Sequence, residues 1–403
     1  MSITTAPTTN FSKYAQYALA ILLTTFLIIF SGIRIYSSHE QPIFDQKALI
    51  YFSFAEGYPR LEQGITSTLI VGIVHYFKPY EPLSSNAIIR TLASCLYLAS
   101  GSLLAWALKK RYYLGLPWFA LFILLIFTSR FPFLWFSSEL FAGAFLMLVM
   151  WSVINEYHFV LIAFFVALFS WAKPDLILPG LALGIILAVY DRKGFQNKIL
   201  SVFLIMLMIA AFVLPGLMLE GPSYLQLSNR SFISFCQHYA DVVSDHQIIR
   251  PVPNPWLECQ TYVIAGFGNR HSILTIIKSN WARYMDFMFL SLSQSLRKMV
   301  ASNLMFLMPL SIAALWKMQQ KKIKVAMLSV FVINLGLITM LSYFHVRYQT
   351  RYYPPVLLIA LIGMNEIKSK NIKLFLWGYL IVLLILQIYQ SVSVVTTGYF
   401  FPD

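Results

Sequence analysis

The chain has 403 residues, of which 59% are hydrophobic and only 11% charged; soluble domains carry about 25% charged residues, so an ordinary water-soluble globule is excluded. A formal net charge of +14 invites a nucleic-acid partner. The basic residues instead cluster between apolar runs: at Lys109, Lys110 and Arg111; at Arg192, Lys193 and Lys198; at Lys317, Lys321, Lys322 and Lys324; and at Lys368, Lys370 and Lys373. That placement marks short cytoplasmic loops beside anionic headgroups, and excludes nucleic acid.

Apolar runs of roughly 17–22 residues recur, each long enough to cross a hydrocarbon core of about 30 Å. The first, 14–35, lacks a small-residue cleavage site and exceeds a signal-peptide core, so a retained helix is expected. Further spans are predicted at 88–108, 114–129, 136–154, 158–171, 174–190, 199–218, 301–316, 325–343, 354–367 and 374–394. The expected fold is all-α: one polytopic membrane domain over 1–403, with about 11 transmembrane helices. Its N-terminus lies inside and its C-terminus outside, in the inner or plasma membrane, which puts every basic cluster on the cytoplasmic face.

Two extracytoplasmic segments are then long. The first, about 36–87, carries amphipathic helices, including an apolar stretch of about 14 residues at 64–77 that suits an interfacial or re-entrant helix. The second spans about 219–300: residues 228–280 read as loop in water, and 281–298 as an amphipathic surface helix with Trp281, Tyr284, Phe287 and Leu290 on one side. Cys95 falls inside a span, where packing explains it. Cys236 and Cys259 share the second outer loop, in an oxidising compartment, and either form a disulfide or remain buried thiols. The tight turn Trp171–Asp175 joins two spans and is expected at membrane depth, facing a polar cavity.

Charges in such a chain are candidate site residues. Asp45 lies about ten residues beyond the first span, at the start of an aromatic stretch, where partial desolvation suits a general base. The bland reading is a loop carboxylate paired with Lys47. On the outer side of a late span, Arg347 and Arg351 lie four residues apart among Tyr348, Tyr352 and Tyr353. Guanidinium binds phosphate oxygens bidentately, though Tyr and Arg also serve as interfacial anchors. Lys173 and Asp175 occupy the tight turn, as site residues or as an internal ion pair. Arg130 and Glu139 flank the join between two spans, too far apart to pair within one helical turn. His75 and Arg90 are weaker candidates.

Nothing points to a Walker loop, a CxxC pair, an HExxH motif or a nucleophile elbow. The seven histidines show no i, i+4 ligand pair, so no cofactor or structural metal is expected. A divalent cation bridging Asp45 and a substrate phosphate stays open.

The order of these features resembles the GT-C superfamily of lipid-linked-sugar glycosyltransferases. The nearest branch contains protein O-mannosyltransferases, the aminoarabinose transferase acting on lipid A, and dolichyl-phosphate-mannose-mannosyltransferase-like enzymes. The resemblance is diffuse but covers most of the chain. It rests on Phe44-Asp45 after the first span, Glu56 to Pro59, Arg90, and Glu139 opening a span. It continues with Trp171 to Pro174 ending one, and Arg347 to Pro355 before a late span. The resemblance implies that Asp45 is the catalytic base or orients the acceptor, and that Lys173, Arg347 and Arg351 hold the phosphate of a polyprenyl-phosphate sugar. Arg130, Glu139 and Tyr352 join them as substrate-binding candidates. The implied acceptor is an extracytoplasmic glycan, lipid or protein. Two departures stand out: Gln46 follows Asp45 where the family often has a second acid, and Tyr58 to Glu62 replaces the usual His-Pro-Pro. The other readings are a carrier or flippase for a polyprenyl-linked or anionic substrate, and a polymerase or ligase of cell-surface glycans.

Overall fold

The computed structural model describes residues 82–112, 121–122, 124–125, 137–173, 176–190, 195–220, 227–245, 258–301, 304–317, 321–341 and 349–397. The expected first span 14–35, residues 36–81 of the first outer loop with Asp45 and His75, most of the span 114–129, Arg130, Asp175 and Arg347 lie outside them, while 82–87, expected as the end of that loop, are helical.

The described residues are all-α, without strands. The helices are α1 (Pro82–Tyr112), α2 (Ser137–Ile154), α3 (Phe159–Trp171), α4 (Ile177–Val189), α5 (Phe195–Glu220), α6 (Leu227–Asp245), α7 (Cys259–Phe267), α8 (Ile273–Ser279), α9 (Trp281–Ala301), α10 (Leu304–Lys317), α11 (Lys321–Leu341), α12 (Gln349–Glu366) and α13 (Lys370–Thr397). Nine of them, α1 to α5 and α10 to α13, coincide with predicted spans to within a few residues. Continuous apolar composition makes such segments helical wherever their backbone must satisfy its own hydrogen bonds.

Short connections fold these helices back on one another. The α2–α3 link is a Schellman turn: Tyr157 N–H bonds the Ser152 carbonyl at 3.0 Å and Glu156 N–H bonds that of Val153 at 3.2 Å. Glu156 takes the left-handed conformation, φ 56°, that this motif requires at its penultimate position. The α3–α4 hairpin is so close that a Cβ on Gly180 would lie 1.9 Å from Ser170 Oγ. Helices α10 and α12 run in the same sense: Ser311 Oγ donates to the Val356 carbonyl at 2.8 Å, and a Cβ on Gly363 would lie 2.2 Å from Ala314 Cβ. The main core fills the spaces among α1 to α5 and α10 to α13 with buried Leu, Ile, Ala and Phe side chains.

One stretch, Lys370–Tyr389 in α13, is alone among the described residues in being long and apolar enough to cross a membrane, with a mean hydropathy of 2.0. Seven further apolar helical stretches are shorter, among them Leu92–Leu108, Glu139–Ile154 and Arg351–Met364.

Of residues 228–280, expected to be loop in water, those that are described, 228–245 and 258–280, are largely helical instead. Helices α6 to α8 and one face of α9 enclose a second core of Phe235, Tyr239, Tyr262, Phe267, Tyr284 and Phe287. Its rings meet mostly edge-to-face, as their quadrupoles prefer: Phe235 lies 5.0 Å from Phe287, and Tyr239 lies 5.2 Å from Phe267. The segment looked like loop because its polar residues mask an apolar stripe only a few residues wide. Cys236 and Cys259 are joined by a disulfide, Cα atoms 5.3 Å apart, which ties α6 to α7. Cys95 is exposed on α1 rather than packed inside. The face of α9 also differs from expectation: Tyr284 and Phe287 are buried in the second core, whereas Trp281 is exposed.

Candidate functional site

Two helix starts and one helix end converge on a buried carboxylate. Glu139 occupies the first turn of α2, where a negative charge complements the positive end of the helix dipole. Its side chain is 1% exposed. Oε1 accepts from Lys173 Nζ at 2.6 Å and from Arg351 Nη2 at 2.8 Å, while Oε2 accepts from Arg351 Nε. The guanidinium thus meets the carboxylate side-on through two N–H groups, the geometry that holds both planes fixed.

Each cation arrives by a distinct route. Helix α3 ends where the Ala172 N–H bonds back to Leu168 and Phe169, and a turn closed by Leu176 N–H to the Lys173 carbonyl at 3.0 Å follows. Lys173 therefore stands just past a helix C-terminus, the favourable end for a cation. Arg351 lies in the first turn of α12, the unfavourable end, and its side chain is fully buried. An uncompensated buried cation there would cost several kcal/mol, so Glu139 is what makes the position tenable. Lys173, at 15% exposure, is the member of the trio with access to the surroundings.

Of the sequence candidates, the structure joins Glu139, Lys173 and Arg351. Tyr352 follows Arg351 and packs into the main core at 4% exposure. The sequence neighbours considered for these charges, Arg130 for Glu139 and Asp175 for Lys173, lie outside the described residues. Two contacts carried no sequence signal. Gln387 of α13 donates to the Tyr353 hydroxyl near the start of α12. The Tyr284 hydroxyl donates to the Met340 carbonyl near the end of α11 at 2.8 Å, holding the second core against that end of the bundle. Lys324, Lys370 and Lys373 begin α11 and α13, at the opposite end of those helices from Met340 and Gln387.

Among the described residues no three His, Cys, Asp or Glu side chains gather as metal ligands. Comparison with protein families, curated proteins and solved structures finds no match for the chain.

Proposed function

We propose that the chain is a polytopic membrane glycosyltransferase of the GT-C type, moving a sugar from a polyprenyl phosphate to an extracytoplasmic acceptor with inversion. The observation that carries the reading is the Glu139–Lys173–Arg351 trio. Three residues singled out from separate segments as the outer-face site meet at one end of the bundle. Its other end begins helices with Lys324, Lys370 and Lys373. That polarity accords with basic residues inside and a site outside. The membrane reading draws further support from α13, which exposes Leu374, Phe375, Ile385 and Leu386 along its length.

In this mechanism the acceptor hydroxyl oxygen attacks the anomeric carbon, and the bond from that carbon to the phosphate oxygen breaks. Asp45 takes the acceptor's proton, and the polyprenyl phosphate departs with the bonding pair. Lys173 is the cation that reaches the leaving phosphate. Arg351, buried and held side-on by Glu139, is a positioning residue that fixes the carboxylate to which Lys173 is tethered. A pre-placed ammonium lowers the barrier as negative charge develops. Arg347 is a second candidate for the phosphate.

The test is sugar transfer by purified, folded protein from a synthetic polyprenyl-phosphate sugar. Asp45→Asn is expected to abolish turnover while donor binding stays measurable. Lys173→Gln is expected to lower turnover roughly 100-fold, as for loss of one transition-state donor. Unchanged turnover in Asp45→Asn would sink the assigned base. No transfer by the wild type, with uptake of the intact donor into proteoliposomes, would establish the carrier reading instead.

A further inference from the structure

Helix α9 divides its surface into three arcs. Tyr284, Phe287, Ser291, Gln294 and Ser295 are buried against the second core and the bundle. Trp281, Met285, Phe289, Leu292 and Leu296 recur at intervals of three and four, and so share one face. That face is open: Trp281 is 59% exposed and Phe289 66%. Beside it runs a third, exposed arc of Ala282, Asp286, Ser293 and Arg297.

We infer that this apolar arc is a lipid-docking surface, immersed in the leaflet at the trio's end of the bundle, with α9 lying along the membrane–water boundary. The inference rests on the membrane reading above. Position is the first support. Tyr284, on the buried arc, is bonded to the carbonyl of Met340, whose side chain is itself 40% exposed. The bond therefore puts α9 at the level where α11 ends, where Met340 is itself an exposed apolar residue.

The adjoining polar arc is the second support. A protein partner covering the whole open side of α9 would bury Asp286 and Arg297, whereas a bilayer surface takes the apolar arc and leaves the polar one in water. Trp281 is of the residue type that settles at headgroup level. Arg297, on the exposed polar arc, is a cation matched in sign to lipid phosphates.

The experiment uses the full chain in nanodiscs, with Cys95→Ser removing the one free thiol among the described residues and the disulfide left intact. An environment-sensitive fluorophore is placed by Phe289→Cys or Leu292→Cys on the apolar arc, by Asp286→Cys or Ser293→Cys on the polar arc, and by Ile385→Cys on α13. Doxyl-labelled lipid is expected to quench the apolar-arc positions roughly twofold or more above the polar-arc positions, while iodide does the reverse. Lipid quenching at Ile385 without it at Phe289 and Leu292 overturns this inference alone. Shielding of those two positions from both quenchers also overturns it, and shows that another part of this chain or a second copy covers the arc. Absence of lipid quenching at Ile385 itself brings down the membrane reading and this inference together.

Discussion

Glu139 and Arg351 stand 212 positions apart in sequence and meet through two N–H···O contacts at the first turns of α2 and α12. With both side chains essentially buried, the pair is held less by a net Coulombic gain than by the penalty of leaving either member alone.

Truncating one partner is therefore expected to be far worse than truncating both. Arg351→Met or Glu139→Gln should each destabilise the protein, by about 3–5 kcal/mol for a stranded buried charge. The double variant should recover a good part of that loss. Thermal unfolding in detergent checks it; equal and additive effects would mean that the two residues are not coupled. Arg351→Lys should not rescue, because an ammonium cannot reproduce the side-on contact.

The disulfide offers a second measurement. Cys236 and Cys259 lie 23 positions apart, and closing a loop of that order stabilises by roughly 3 kcal/mol on the chain-entropy model. Cys236→Ala should expose α6 and α7 to limited proteolysis at protease levels that leave the oxidised wild type intact. Mass spectrometry of peptides without reduction should recover the linked pair, and recovery of two free thiols would remove the tie.

Two tyrosines of the second core give a pH dependence. Burial raises the Tyr239 hydroxyl above its ordinary value, with Arg283 partly opposing, and burial likewise raises Tyr284. Both groups are neutral when folded, so their contribution is complete below the unfolded tyrosine value of about 10. It is lost as the pH climbs from there through the raised folded values. Stability should thus fall above about pH 10. Tyr239→Phe should blunt the fall and be nearly neutral at pH 7, because the Tyr239 hydroxyl is buried with no hydrogen-bond partner among the described residues. Tyr284→Phe forfeits the bond to Met340 and should cost about 1 kcal/mol at neutral pH.

Packing of α12 on α10 supplies the fourth. A Cβ on Gly363 would meet Ala314 Cα at 2.8 Å, and backbone cannot swing aside as a side-chain tip can. Gly363→Val should cost about 1–3 kcal/mol by overpacking, and Ala314→Gly should relieve part of it. A Gly363→Val protein as stable as wild type would mean that the two helices separate freely.

Much of the architecture was legible in the order of residues, and the reason is local. A helix such as α3 or α4 is apolar nearly all round, so its extent follows from a hydropathy window alone. Helices α6 and α9 are apolar on one side only, and the pattern that groups Trp281 with Tyr284 and Phe287 does not show that the second core buries the latter two and leaves Trp281 exposed. Which charge meets which was not legible. The contacts that join Glu139 to Lys173 and to Arg351 cross the bundle over separations of 34 and 212 positions, which no local pattern announces. Cys236 and Cys259 shared a loop, and their pairing became visible only once α6 and α7 were seen to pack together.

The N-terminal end of α12 grips two neighbours at once. Arg351 holds α2 through Glu139, and Tyr353, two residues on, holds α13 through Gln387. Sliding α12 by one turn, about 5.4 Å, would break both grips together. It is thus indexed against its neighbours like a pinned shaft, and a piston stroke of this helix alone is barred. Any motion that carries α12 carries α2 and α13 with it, and the carboxylate that tethers Lys173 travels in the same rigid body.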